Sequence, residues 1–231
     1  MIVKFNLYDF IAVVIPGMLF LWAISFFTEQ VGLKINLPFS GGIAETFILI
    51  GLSYVMGLLI QGISQGITEK ALLWIWDGFP SAKWLLPEDT RLSTEYKNKI
   101  LQIVQQKYGL SIKNELAEKL SPNQEKKAIL QKKQEIFYLC YNAVEKLSDR
   151  PHIFNAQYGL FRCLLTSFSV LFIICLLILF FGNLSNKALV LYLAIFFLIG
   201  TIVSYFRTKK RGEDFAKSVY DLFLTNYSED K

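Results

Sequence analysis

The stretch TFILIGLSYVMGLLIQGISQGI, residues Thr46–Ile67, decides the fold class of this chain. It contains no Asp, Glu, Lys or Arg, and a helix of this length covers the roughly 30 Å of hydrocarbon in a bilayer. Its second half also carries glutamine, serine and glycine, where a helix facing lipid alone would be aliphatic. The stretch therefore predicts a transmembrane helix with one polar face.

Three further stretches have the same uncharged character: Phe10–Phe27, Cys163–Asn186 and Ala188–Phe206. Hydrophobic residues make up 53% of the 231 residues, more than a water-soluble domain ordinarily has. The first apolar run is long for a signal peptide and no Ala-x-Ala site follows it, so we expect it to be retained. The sequence thus predicts an all-α, polytopic membrane protein with four transmembrane helices and a cytosolic helical domain.

Basic residues are distributed unevenly over the predicted loops. Of the 24 Lys and Arg, fifteen lie in 68–162 and six in 207–231, whereas the short loop 28–45 and the connection at Lys187 hold one each. Basic loops stay in the cytoplasm, which predicts a multi-pass protein with both termini and the long loop in the cytoplasm and the two short loops on the outer side. The net charge of +5 is then a topology signal, and we expect no direct binding of nucleic acid.

The alternation of apolar and charged stretches divides the chain into four parts. They are an N-terminal lead-in with transmembrane helices 1 and 2 (1–67), a cytosolic helical insert (68–157), transmembrane helices 3 and 4 (158–206) and a cytosolic amphipathic C-terminal helix (207–231). Helical spacing of apolar residues in STEYKNKILQIVQQKYG predicts a helix in the insert that ends at Gly109. The apolar side of the C-terminal helix is expected to dock on this insert.

Three of the four tryptophans, Trp74, Trp76 and Trp84, lie at the start of the insert. Tryptophan favours the headgroup region of a bilayer, so this segment is predicted to lie along the inner surface of the membrane. The alternative is that the three indoles pack beneath the cytosolic domain.

A polar stripe follows the second predicted span. By helical spacing, one face receives six small or polar residues: Ser53, Gly57, Gln61, Ser64, Gln65 and Thr68. Three explanations remain open. The stripe packs against other helices, it lines a pore in an oligomer, or its last residues merely emerge among the inner headgroups. Gly62 and Gly66 form a GxxxG pair on a neighbouring face.

Two charged features flank the spans. Asp9 and Arg162 both lie at the cytoplasmic end of a predicted helix, where they would form an ion pair between helices 1 and 3, unless each is solvated or bound to headgroups. The stretch EKKAILQKK, Glu125–Lys133, offers a basic face for a partner protein or lipid headgroups, and its alternative is a solvated helix surface. The basic residues of this face are Lys126, Lys127, Lys132 and Lys133.

The sequence gives no sign of catalytic chemistry. The one histidine, His152, follows a proline near a predicted helix start, and none of the nucleotide-binding, metalloprotease or hydrolase motifs is present. Cys140, Cys163 and Cys175 lack metal-ligand spacing and are expected to pack as small apolar groups. We therefore expect a non-enzymatic protein with no cofactor and no metal.

Three stretches together resemble a known kind of protein: YDFIAVVIPGMLFL (8–21), NAQYGLFRCLLTSF (155–168) and RGEDFAKSVYDLFL (211–224). This arrangement is similar to that of small multi-pass bacterial inner-membrane proteins, some of them encoded in phage-defence loci. The resemblance covers about a fifth of the chain and implies action with a cytosolic protein partner. It assigns a role to no individual residue.

These observations predict an oligomeric inner-membrane scaffold or sensor that docks a cytosolic partner protein, with anti-phage defence as the context that the resemblance implies. A homo-oligomer in the lipid bilayer is expected. The alternative is a gated ion-conducting pore or membrane-disrupting effector, which the polar stripe favours. No acidic residue lies deep in a predicted span, which argues against a proton-coupled transporter.

Overall fold

A computed structural model describes residues 7–30, 42–109, 122–181 and 187–228, and gives side-chain environments for 10, 12–28, 42–109, 127–181 and 187–227. Every regular element in these ranges is helical. In chain order they are α1 (Leu7–Gln30), α2 (Ile43–Ile63), a π-helical turn (Ser64–Thr68), α3 (Glu69–Trp76), α4 (Pro80–Lys83), α5 (Thr94–Tyr108), α6 (Pro122–Val144), α7 (Arg150–Phe181) and α8 (Lys187–Ser228).

Three helical stretches in the described ranges are long and apolar enough to cross a membrane: Ile43–Lys83, Arg150–Phe181 and Lys187–Tyr227. A shorter apolar helix covers Ala12–Thr28. The all-α class is thus confirmed together with three candidate spans, while the fourth predicted span stays a prediction. Large apolar side chains are exposed along these stretches, such as Phe47 (72%) and Ile199 (56%), which is the surface that lipid rather than water accepts.

The chain forms two compact units. The first unit comprises Met1–Ala71 and Ala156–Lys209, and the second comprises Leu72–Asn155 and Lys210–Lys231. Both α7 and α8 contribute residues to each unit, because neither helix is interrupted at the boundary.

In the first unit, α1 and α2 touch backbone to backbone. A Cβ atom on Gly17 would lie 1.9 Å from the carbonyl oxygen of Ser53, and one on Gly57 would lie 2.1 Å from that of Val13. Only glycine permits this approach, which is how small residues bring membrane helices together. A separate core joins α1, α7 and α8; its fully buried members include Leu171, Cys175 and Phe197. Burial of Cys163 and Cys175 confirms that these thiols pack as small apolar groups.

The second unit has its own core, built where the apolar sides of α5, α6 and the end of α8 meet. Its largest fully buried side chains are Tyr220, Phe137, Phe223, Leu85 and Ile100. Ser93 caps α5 by accepting a hydrogen bond from the Tyr96 N–H over 3.2 Å, and Gly109 ends it with φ 67°, as predicted.

The C-terminal segment docks on the insert, as predicted. The Tyr220 hydroxyl donates to the carbonyl oxygen of Ser81 over 2.6 Å, and the Tyr96 hydroxyl donates to the Asp221 carboxylate. The segment is not a separate helix, however. It is the second half of the 42-residue α8, because no proline or other strong helix breaker follows the last apolar stretch.

The tryptophans of the insert differ in environment. Trp74 is 85% exposed, whereas Trp76 and Trp84 are 8% and 5% exposed. The rings of Trp76 and Trp84 are therefore packed in the protein, as in the alternative that the sequence left open, while the position of this segment along the membrane surface stays a prediction. Helical spacing explains the difference, since residues two apart point to different sides of α3.

Candidate functional site at the π-helical turn

The polar end of the second apolar stretch contains a π-helical turn, Ser64–Thr68. The Glu69 N–H donates to the carbonyl oxygen of Ser64, five residues earlier, instead of to the fourth residue as in an α-helix. This wider turn places Ser64 and Glu69 one above the other on one side of the helix. Single π-turns of this kind occur frequently at functional sites.

Arg162 of α7 faces this turn and contacts both of those residues. Its Nε–H donates to the Ser64 Oγ over 3.1 Å, and its Nη1 forms an ion pair with the Glu69 carboxylate. The Arg162 guanidinium also lies over the Tyr158 ring, with its carbon 5.3 Å from the ring centroid. Arg162 is only 7% exposed, so its charge is balanced by protein groups rather than by solvent.

A second bond links the same two helices next to the guanidinium. The hydroxyls of Thr68 and Thr166 lie 2.7 Å apart, and the Thr166 hydroxyl lies 3.0 Å from the Arg162 carbonyl oxygen, to which it donates. Ser64, Thr68 and Glu69 on one side and Arg162 and Thr166 on the other therefore form one hydrogen-bonded network, which we call the π-turn network. In this structure the network determines how the residues after α2 are rotated against α7.

The structure divides the predicted polar stripe. Ser53 and Ser64 are fully buried, and Gly57 lies against the α1 backbone. Gln61 is half-buried and Gln65 is exposed. Consecutive residues of a helix point in different directions, about 100° apart in an α-helix, so Gln65 is exposed although its neighbour Ser64 is buried. Neither Gly62 nor Gly66 has another part of the described chain within 4 Å of its Cβ position.

The ion pair of Arg162 involves a residue that the sequence reasoning missed. Asp9 was the predicted partner, and its side chain lies outside the described side chains, so that pairing stays a prediction. In the structure Glu69 holds the guanidinium. A signal existed in the sequence: Glu69 is the first charge after one apolar stretch, and Arg162 is the last charge before another. The π-turn that aligns Glu69 has no such signal.

The predicted basic face is only partly available. Lys127 is exposed and Lys132 is half-exposed, whereas Lys133 is buried, with 8% of its surface exposed. The side chain of Lys126 lies outside the residues whose side chains the structure describes. Burial, with Lys132 and Lys97 nearby, lowers the pKa of the Lys133 ammonium. Lys97 is held by the carbonyl oxygens of Leu86, at 2.7 Å, and Asp89.

His152 takes part in packing contacts. Its Nδ1 lies 3.2 Å from the Tyr141 hydroxyl and its Nε2 lies 3.3 Å from the Glu145 carbonyl oxygen. Among the residues for which the structure gives positions, no group of three His, Cys, Asp or Glu could hold a metal ion. The expectation of a protein without enzymatic activity or cofactor stays a prediction.

Over the ranges that the structure describes, the protein is all-helical and has three helices long and apolar enough to span a membrane. No family model matches the chain, and searches of curated proteins and of solved structures return no match either.

Proposed function

We propose that this chain is a non-enzymatic, oligomeric scaffold or sensor of the bacterial inner membrane that docks a cytosolic partner protein. The observation that carries the proposal is the second unit. It has a core of its own and a charged exterior, and two unbroken helices, α7 and α8, link it to the apolar stretches. A folded unit with charged residues on its exterior is suited to binding another protein.

We infer that α1 is a fourth span. It has 24 residues, which corresponds to about 36 Å of α-helix, enough to cross the hydrocarbon. Its contact with α2 through Gly17 and Gly57 supports this placement, because the backbone of a partner helix is held against a candidate span. The distribution of Lys and Arg supports cytoplasmic termini and a cytoplasmic second unit.

The open side of the second span supports an oligomer. Gly62 and Gly66 have free space at their Cβ positions, and Gln65 between them is exposed. A glycine pair allows a second helix to approach closely, and an amide in a membrane helix gains roughly 0.6–2 kcal/mol from a hydrogen bond to a neighbour. A second copy of this chain would supply both.

Docking is proposed at the accessible part of the basic face, Lys127 and Lys132. The test is affinity capture of the tagged chain from its own cells, comparing the native sequence with Lys127→Glu plus Lys132→Glu. Lys99→Glu plus Lys146→Glu is the matched control, because it makes the same charge change at exposed residues of the same unit. Loss of a stoichiometric partner in the first variant but not in the control supports the docking face. Equal capture by all three chains contradicts it.

Anti-phage defence is proposed only as the cellular context, from the three stretches that resemble small membrane proteins of phage-defence loci. Phage plaque counts on cells with and without the gene test it. Equal plating efficiency on both, over a panel of phages, contradicts that context without affecting the scaffold.

A pore or membrane-disrupting effector is the second candidate, and exposed Gln65 with half-buried Gln61 favours it. It predicts ion flux through liposomes that contain the purified chain, abolished by Gln61→Leu plus Gln65→Leu. Flux that persists in this double variant removes the two amides from the conducting path. Absence of flux from the native chain argues for the scaffold.

A further inference from the structure

The π-turn network requires the extra residue that its wide turn contains. In an α-helix, residues four apart are separated by about 40° around the axis and residues five apart by about 140°. Ser64 and Glu69 are five apart, yet both contact the Arg162 guanidinium. Only the π-helical hydrogen bond from the Glu69 N–H to the Ser64 carbonyl brings them to the same side.

If the turn became α-helical, every residue after Ser64 would be displaced by one place. Thr68 would take the position of Glu69 beside Arg162, and Ile67 would take the position of Thr68 beside Thr166. The exchange is chemically acceptable, because the Thr68 hydroxyl can accept a hydrogen bond from the guanidinium. Thr166 keeps its bond to the Arg162 carbonyl in either case, since that bond lies within α7.

The residues of the turn itself permit the exchange. Ile67 is 68% exposed, so its side chain leaves few contacts behind when it turns inward. Gly66 meets no other atom within 4 Å of its Cβ position, so no neighbour blocks the turn from tightening. The α-helical arrangement loses the Glu69 pair with Arg162 and the hydrogen bond between Thr68 and Thr166. It also moves Leu72 and Trp76, which are 2% and 8% exposed, out of their places.

We propose that this helix has two registers on α7, a π register held by the Glu69–Arg162 pair and an α register in which Thr68 replaces Glu69. Conversion from one to the other rotates the chain after Glu69 by about 100° about the helix axis and advances it by about 1.5 Å. A regulatory role for the conversion rests on the proposed function, because it would transmit the state of the spans along the chain to the second unit.

Disulfide cross-linking in membranes distinguishes the registers. The native cysteines are replaced by Ala, and two pairs are compared: Thr68→Cys with Thr166→Cys reports the π register, and Ile67→Cys with Thr166→Cys reports the α register. Ile63→Cys with Thr166→Cys gives the level of random collision, because Ile63 lies before the turn and keeps its place in both registers. The proposal expects both reporter pairs to cross-link above this level. An Ile67 pair that stays at the collision level overturns it.

Two changes move the balance in known directions. Glu69→Gln removes the contact that holds the π register, and the ratio of Ile67 to Thr68 cross-linking should rise about tenfold, the change produced by about 1.4 kcal/mol. Deletion of Gly66 removes the extra residue while keeping Ser64 and Glu69 aligned, so it should abolish the Ile67 cross-link and retain that of Thr68. Gly66→Ala, which keeps the length, is the matched control and should retain both.

An unchanged ratio of Ile67 to Thr68 cross-linking in Glu69→Gln overturns the proposal. If the deletion variant does not purify as a single species, the Glu69→Gln measurement alone is used as the test. No partner protein takes part in the assay. Failure to find a partner therefore contradicts the proposed function and leaves the registers standing, whereas a single register contradicts this inference and leaves the scaffold standing.

Discussion

The carboxylate of Glu69 is ion-paired with the guanidinium of Arg162, 93 residues further along the chain. The pair joins the helix that follows the second apolar stretch to α7, just before the third. Its position at the ends of two apolar stretches explains why two charges are tolerated there: each neutralises the other, and Ser64 satisfies a further N–H of the guanidinium.

Removal of both partners of this pair should destabilise the first unit by less than the sum of the two single removals. Glu69→Ala or Arg162→Ala leaves a buried or half-buried charge without its partner, at a cost of about 3–5 kcal/mol for a fully buried pair. The double variant leaves no lone charge, so its cost should fall below the sum of the single costs by about 0.5–3 kcal/mol. Thermal unfolding in detergent measures this coupling, and strict additivity would show that the two side chains do not interact.

Close packing of α1 on α2 predicts a large difference between two glycines of the same helix. Gly57→Ala places a methyl group 2.1 Å from the Val13 carbonyl oxygen, which should force the helices apart and cost about 1–3 kcal/mol. Gly51→Ala meets no atom within 4 Å and lies outside the proposed contact at Gly62 and Gly66, so it should leave the melting temperature unchanged or slightly raised. The two variants are compared in the same detergent, and equal melting temperatures would contradict the α1–α2 contact.

Burial of Lys133 predicts a gain in stability when its charge is removed. Because its pKa is lowered in the folded protein, the folded state is penalised for the charged ammonium at neutral and lower pH. Lys133→Met should therefore raise the free energy of unfolding at pH 7. The gain should shrink as the pH rises towards 10.5, the ordinary pKa of the side chain, because the penalty disappears once both states are neutral.

Exposed Lys127 provides the control for that experiment. Lys127→Met should change the melting temperature little at any pH. A loss of stability in Lys133→Met at pH 7 would show that the ammonium has a compensating partner.

The two environments of the tryptophans predict opposite tolerance to truncation. Trp84→Ala removes a ring that is 5% exposed and should cost about 3–5 kcal/mol. Trp74→Ala removes a ring that is 85% exposed and should leave the melting temperature of the second unit nearly unchanged. Comparable losses for both variants would contradict the difference in burial.

The sequence was sufficient to predict the helical class, the apolar stretches, the end of α5 at Gly109 and the docking of the C-terminal segment, because each depends on local composition or spacing. It was not sufficient for the π-turn. The hydrogen bond from the Glu69 N–H to the Ser64 carbonyl oxygen spans five residues, and Arg162 of α7 contacts both side chains. Positions inferred from helical spacing assume a regular α-helix and therefore cannot reveal such a turn. Trp74 and Trp76 are a second example, because one ring is exposed and the other is buried. Composition alone treats the two tryptophans alike and could not predict this difference.

Gentle purification of the tagged chain from its own cells, followed by mass photometry and mass spectrometry of the particle, tests the scaffold most directly. The account predicts a homo-oligomeric core that carries a soluble protein in fixed stoichiometry. A particle made only of this chain, with ion flux in liposomes that depends on Gln61 and Gln65, would contradict the scaffold and establish the pore.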